Sequence, residues 1–515
     1  MSKKKKFAWA AALTGATAAA LTAGMYLRQE VVKRRPFMIE EATISEMQKA
    51  MKTGQVTSKD LVQMYLDRIE NFDKSGPKLN SILEINPEAL HEAEASDVKR
   101  SVNPDVGPLF GVPLIIKDNI ETESPMHTTA GSVALAGNQP EKDAFVVSQL
   151  RKAGAIILGK ANLTEFANFI AEDMPNGYSS LGGQVLNPYG ASFDVGGSSA
   201  GTGAAVAANL AAAGVGTETS GSILSPASSN SLVGIKPTVG AASRSGIIPL
   251  AHSQDTPGPM ARTVRDAVLL FNGMTGVDED DEETVWSQGD VQKDYTVYLK
   301  HGGLKGARLG IDRNYLESLS DEQVKLINQA LDVMKEKGAT ILDPVVISST
   351  ETLENRESSV MYREFKFDIN RYLKKLPADS PVHSLSDVIK YNKEHADTAL
   401  HYGQAILEKS EALSADLGER QYLADRADDI RLSRKEGIDA VLKARHLDAL
   451  IFANYLGCDI AAKAGYPSIT VPAGYTSEGE PVGVTFTGLA FSEPKLIELA
   501  YAFEQATNHR KPPVL

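Results

Sequence analysis

The hydrophobic patterning of this chain predicts an α/β class, and three observations carry the prediction. An apolar run from Leu109 to Ile116 has strand character and is continuous enough to be covered on both faces. A helical stretch from Ala144 to Ala153 and a short buried strand, Ala155-Ile-Ile-Leu158, follow it in the order of a βαβ unit. Near the C-terminus Ile469 and Val471, then Val482, Val484 and Phe486, alternate with small or polar residues on either side of the turn Ser477-Glu-Gly-Glu480.

The other elements follow from caps and periodicity. Thr43-Ile-Ser-Glu46 reads as a capping box, and Gly54 ends the short helix it opens. Behind Thr57 and Ser58, the residues Leu61, Val62, Tyr65, Leu66 and Ile69 recur at helical spacing and mark one buried stripe. Residues 180–240 are dominated by Gly, Ser, Ala and Thr. Such a stretch has too little large apolar surface to form core and is expected where backbone approaches a ligand closely. Residues 315–450 are helical in pattern and heavily charged, a layer or cap, and a helix from Pro494 to Thr507 closes the chain.

Composition narrows the function classes. With 515 residues, 42% hydrophobic and 23% charged, the chain has the balance of a globular enzyme and can bury a large core. A net charge of -13 argues against a nucleic-acid partner, which needs clustered Lys and Arg, and does not favour anionic substrates. Cys458 is the only cysteine, so neither an internal disulfide nor a thiolate metal cluster can form, and its apolar setting marks it as a buried small hydrophobe. The nine histidines show no metal-ligand spacing, so neither a metal nor another cofactor is expected.

Residues 1–36 differ from the rest. Lys3 to Lys6 precede an uncharged stretch from Phe7 to Leu27, about 31 Å long if helical, and Arg28, Lys33, Arg34 and Arg35 follow. This is membrane-targeting composition. It predicts either a single N-terminal anchor, making the protein membrane-associated, or a cleaved signal that would send residues 37–515 outside the cytoplasm.

Two Gly- and Ser-rich loops hold the candidate chemistry: Gly196-Gly-Ser-Ser-Ala-Gly201 and Gly216-Thr-Glu-Thr-Ser-Gly-Ser-Ile223. An Ala-rich helix begins directly after Ser198 and Ser199, and its N-terminus would favour developing negative charge there. A phosphate cradle fits poorly, because no Gly-x4-Gly-Lys-Ser/Thr occurs. Gly197-Ser-Ser-Ala-Gly201 does match the G-x-S-x-G nucleophile elbow, which would make Ser199 the nucleophile with His446 or His509 as base.

A wider constellation favours another assignment. Gly111-Val-Pro-Leu-Ile-Ile-Lys-Asp-Asn119, the Gly-Gly-Ser-Ser loop, Gly216-Thr-Glu-Thr-Ser-Gly-Ser-Ile223 and Gly234-Ile-Lys-Pro-Thr-Val-Gly240 come in order. They are joined by Lys160-Ala-Asn-Leu-Thr-Glu165, Gly182-Gly-Gln-Val-Leu-Asn-Pro188 and Ser253-Gln-Asp-Thr-Pro-Gly-Pro-Met260. From about residue 40 to the C-terminus the chain resembles the amidase signature family, and its bacterial peptide-amidase branch most of all. The resemblance implies one large mixed twisted sheet flanked by helices. It also implies a Ser-cis-Ser-Lys triad, with Ser222 as nucleophile, Ser198 as the bridging serine in a cis peptide and Lys117 as the base. Backbone N–H groups of Thr219, Ser220, Gly221 and Ser222 would form the oxyanion hole. Lysine is cationic at neutral pH unless desolvated, and the apolar run ending at Ile116 is placed to desolvate it. Asp118, on the opposite strand face, need not share the site. Glu218, Ser220 and Leu224 stand where the wider family often has Asp, Gly or Asp, and Arg.

The implied reaction is hydrolysis of a small-molecule or peptide amide through an acyl-enzyme. Two other readings belong to the same fold: a lipid amide hydrolase like the fatty acid amide hydrolases, and a non-hydrolytic subunit or inactive scaffold like the amidotransferase subunit that acts on charged tRNA.

Overall fold

The computed structural model describes residues 37–123 and 125–515, so the expected anchor or signal at 1–36 lies outside the described residues. Among those described, no helix is long and apolar enough to cross a membrane.

Both expected helix starts form as read. Thr43 and Glu46 close a capping box ahead of the helix Ile44–Lys52, and Thr57 with Asp60 closes another ahead of Ser58–Arg68. Leu61, Val62 and Tyr65 are wholly buried, the stripe that the spacing requires.

Eleven strands build one mixed sheet. In chain order they are β1 (Ile82–Ile85), β2 (Pro113–Lys117), β3 (Ile156–Ala161), β4 (Ala213–Glu218), β5 (Val233–Lys236), β6 (Thr256–Ala261), β7 (Arg308–Ile311), β8 (Thr340–Leu342), β9 (Ala449–Ala453), β10 (Ser468–Tyr475) and β11 (Pro481–Thr487). Their spatial order is β1-β3-β2-β4-β6-β5-β10-β11-β9-β7-β8. β2 runs parallel to both β3 and β4, while the middle of the sheet, from β4 to β9, is antiparallel throughout. The expected βαβ unit is β2, the helix Phe145–Lys152 and β3. Only Pro113–Lys117 of the run 109–117 is strand, because Leu109–Val112 turn into it through Gly111, whose φ of +73° suits a residue without Cβ.

One expectation is overturned. Within residues 180–240, read as too poor in large apolar groups to be core, the stretch 200–236 is largely buried. Every residue of the helix Ala200–Ala207 is buried, as are all of β4 and β5. Small side chains bury little area each, but they let helix and strands close to backbone contact, so packing density replaces side-chain bulk. The charged segment 315–450 is mostly helical as expected. Its helices Val360–Leu373, Leu385–Glu394 and Ala405–Ala412 form a cap whose apolar residues Phe365, Ile369 and Leu385 share one cluster with Leu135, Phe166 and Ile248 outside it. The strand β8 lies inside this stretch, hidden from periodicity by its length of three residues.

Backbone contact makes Gly201 irreplaceable. A Cβ there would overlap the carbonyl oxygens of Ser81 and Asn162. Gly201→Ala raises intrinsic helix propensity by about 1 kcal/mol, yet urea unfolding should show a net loss of about 2 kcal/mol, because the overpacked backbone cannot retreat.

Candidate active site

The site forms where the parallel strands β2 and β4 end, the edge at which α/β sheets place ligands. Lys117 is the last residue of β2 and wholly buried. Its Nζ lies 2.8 Å from Ser198 Oγ, 2.9 Å from Thr217 Oγ1 and 3.3 Å from the Thr217 carbonyl oxygen. Burial drives the Lys117 pKa down to about 7, against the opposing pull of Asp255 and Glu218. Ser198 follows a cis peptide bond from Gly197. The second loop is tied to the first through its backbone, with Ser199 N–H donating to the Ser222 carbonyl at 3.2 Å. Lys117 and Ser198 are thus in direct contact, and the backbone of Ser222 is joined to the residue after Ser198.

Two other lysines are equally buried but face no serine. Lys160 donates to the Ile120 carbonyl and to Thr128 Oγ1, each at 2.7 Å, with Asp118 Oδ1 at 3.7 Å. Lys236 donates to the carbonyls of Pro237 at 3.0 Å and Tyr466 at 2.8 Å. Asp118 turns away from Lys117 toward Lys160 and the loop at Thr129, as strand alternation requires.

Ser199 is occupied: its hydroxyl donates to the Thr217 carbonyl at 3.1 Å and accepts the Thr217 N–H at 3.3 Å. The two histidines of the elbow reading are engaged elsewhere. His446 caps the helix Asp439–Arg445, and His509 packs against Phe503. The elbow motif here serves to lock the first loop onto β4.

The loop 219–224 is organised by a residue whose role the sequence alone did not reveal. Glu218, wholly buried, accepts the N–H groups of Gly221 at 2.9 Å, Ile223 at 2.7 Å and Leu224 at 3.0 Å. Burial pushes its pKa up, while Lys236 and these three donors pull it back. The arrangement corrects one expectation. Of the four N–H groups read as oxyanion donors, that of Gly221 is already committed to Glu218, whereas those of Ser220 and Ser222 donate to no acceptor among the described residues.

Side chains fix the rest of the loop. Thr219 Oγ1 donates to Asp255 Oδ1 at 2.5 Å, and Asp255 in turn accepts the N–H groups of Leu250 and Ala251. Ser220 Oγ donates to Asp459 and lies 3.6 Å from Cys458 Sγ. Cys458 is buried as expected, and burial pushes its thiol well above the usual range, so it stays protonated. Its place against Gly221 was not foreseen; a Cβ on Gly221 would come within 3.1 Å of the sulfur. Asn119, Asp255 and Lys236 all sat inside motifs that the sequence offered, but nothing in those motifs said what they touch. No group of His, Cys, Asp and Glu among the described residues is arranged to hold a metal ion.

A cavity of about 780 Å³ lies beside these residues. Its wall includes Asn119, Thr217, Thr219 and Asp255 from the sheet side and Arg371 and Tyr372 from the cap; Lys117, Ser198 and Ser222 are not in it. It meets Lys117 only indirectly, through Thr217.

The comparisons with known proteins give the family. The amidase family profile matches residues 60–497. A probable amidase of Arabidopsis thaliana is 43% identical over 486 residues, covering 93% of this chain and 92% of its own. The crystal structure of the native peptide amidase from Stenotrophomonas maltophilia superposes with a TM-score of 0.88 at 42% identity, over 93% of this chain and 99% of that one. An amidase family protein from Bacillus anthracis superposes with a TM-score of 0.86 at 38% identity, over 95% and 93%. A glutamyl-tRNA(Gln) amidotransferase subunit from Halorhodospira halophila is 38% identical over 59% of this chain and 60% of its own. With its eleven-stranded sheet, its ordered motifs and these relatives, the chain belongs to the amidase signature family, in its peptide-amidase-like branch, and is a hydrolase of carbon–nitrogen bonds.

Proposed function

We propose that the protein hydrolyses linear carboxylic amides, peptide C-terminal amides foremost, through an acyl-enzyme on Ser222. The observation that carries this reading is the contact of 2.8 Å between a fully buried Lys117 amine, whose pKa burial lowers to about 7, and the Ser198 hydroxyl. Ser222 Oγ attacks the amide carbon while its proton passes to Ser198 and the Ser198 proton passes to Lys117 Nζ. The tetrahedral oxyanion is held by the N–H groups of Thr219, Ser220 and Ser222; one such donor is typically worth about 3 kcal/mol. Collapse breaks the C–N bond, and the leaving ammonia or amine takes the proton back along the same path. Water then attacks the ester by the same relay and releases the acid. The peptide amidase from Stenotrophomonas maltophilia supports a peptide amide as substrate.

The likeness to the tRNA-linked amidotransferase favours a second reading, in which the chain works only with partners. Ammonia release by the purified chain alone, screened over peptide, fatty and aryl amides, separates the two and ranks the substrates.

Ser222→Ala should lower turnover of the best amide at least about 10³-fold, and Ser199→Ala much less. Replacing His446 and His509 together should leave the rate within about twofold, since neither side chain touches the loops. Retained turnover in Ser222→Ala with loss in Ser199→Ala would move the nucleophile to the elbow serine. The neutral form of Lys117 is the active one, so kcat/KM should rise with pH through about 7 and level off above it. That limb should vanish in the residual activity of Lys117→Ala.

A further inference from the structure

A neutral primary amine has two N–H bonds and one lone pair. For Lys117 to accept the Ser198 proton, that lone pair must face Ser198. Its other neighbours both belong to Thr217. The carbonyl at 3.3 Å can only accept, so it takes one N–H. The hydroxyl at 2.9 Å is ambivalent: it can accept the second N–H, or it can turn its own proton onto the lone pair and draw it away from Ser198.

Asn119 bears on that choice. It lies two residues beyond Lys117, is buried, and donates from Nδ2 to the same Thr217 hydroxyl at 3.0 Å. An amide N–H only donates. It therefore occupies one lone pair of Thr217 and leaves one lone pair and the proton to be divided between the lysine and the cavity in whose wall both Thr217 and Asn119 stand. With the proton turned to the cavity, the remaining lone pair meets the lysine. Asn119 Oδ1 is buried without a partner among the described residues, so the amide's one protein contact is the one to Thr217.

We infer that Asn119 is a positioning residue for the base: acting through the Thr217 hydroxyl, it turns the lone pair of the Lys117 amine onto Ser198. The inference rests on Lys117 serving as base. The charges that face the amine are Asp255, from the loop ahead of β6, and Glu218, at the end of β4; Asp118 on the neighbouring face is paired with Lys160 of β3. None of these carboxylates hydrogen-bonds to the Asn119 side chain, whose effect on the amine should therefore be separable from theirs.

The experiment is a cycle of Asn119→Leu, Thr217→Val and the double variant, with Asn119→Asp alongside, each read as kcat and KM across pH. Asn119→Leu should lower kcat about 10-fold, the rate equivalent of one misdirected hydrogen bond, with KM nearly unchanged. In the Thr217→Val background the same substitution should cost almost nothing, because the hydroxyl it acts through is gone. Thr217→Ser should recover most of what Thr217→Val loses. Asn119→Asp replaces the donor by an anionic acceptor of the same shape and should move the ascending limb upward by about one pH unit. It also keeps the question answerable if Asn119→Leu does not fold. Independent, multiplying losses from Asn119→Leu and Thr217→Val, or a limb unmoved in Asn119→Asp, would overturn the inference. Lys117→Ala distinguishes the two failures. A limb that survives in it removes the lysine base and this inference together, whereas a limb lost there and unmoved in Asn119→Asp removes the inference alone.

Discussion

The burial of one amine at the end of a central strand organises this protein. Lys117 can act as a base near neutral pH only if water is kept from it, and exclusion needs strands on both sides and a helix above. β3 and β4 flank β2 in parallel, and the helix Ala200–Ala207 follows Ser198 directly. The same parallel pairing brings Thr217 of β4 beside Lys117 of β2, so the amine loses solvent but gains three oxygen neighbours. A buried amine without such partners would carry a desolvation cost of several kcal/mol.

Closeness on this scale explains the composition of residues 196–236. Helix, loops and strands meet at backbone distance, and side chains larger than Ala or Ser would hold them apart. The ordered loop that results needs internal polar support, which Glu218 supplies by collecting three N–H groups of the loop 221–224. Lys236, on β5 two strands along the sheet, offsets the buried carboxylate. Where the wider family often carries Asp followed by Arg, this chain has Glu218 and Leu224; the longer acid reaches the loop N–H groups, and the lysine of β5 stands as the nearby cation.

Much was legible in the sequence. The capping box at Thr43 is local, since donor and acceptor lie three residues apart, and it formed as read, while the helix behind Thr57 formed with a second box that Asp60 completes. The βαβ unit at 113–161 followed from alternating periodicities within one stretch of chain. The spaced motifs pointed to the family, and that resemblance put forward Lys117, Ser198 and Ser222 from among many lysines and serines. What failed was the judgement of core from side-chain bulk, and what stayed hidden was contact between distant residues. Residues 200–236 looked too small for core and are core. Cys458 was seen as buried, but its seat against Gly221 was not.

By itself, then, the sequence determined the α/β class, the order of its main elements and the set of groups able to carry acyl chemistry, because each depends on neighbours along the chain or on motif spacing. Only the tertiary structure decided which of those groups are free. Ser199 is spent on Thr217, Gly221 N–H is spent on Glu218, and the Asn119 amide is spent on the Thr217 hydroxyl. The reason is separation: Lys117 and Ser198 are 81 residues apart, and Lys117 and Thr217 are 100 apart. Contacts of that span exist only once the parallel strands have paired. A hydroxyl or N–H has few hydrogen-bonding positions, so whichever partner the fold delivers first fixes what remains for a substrate.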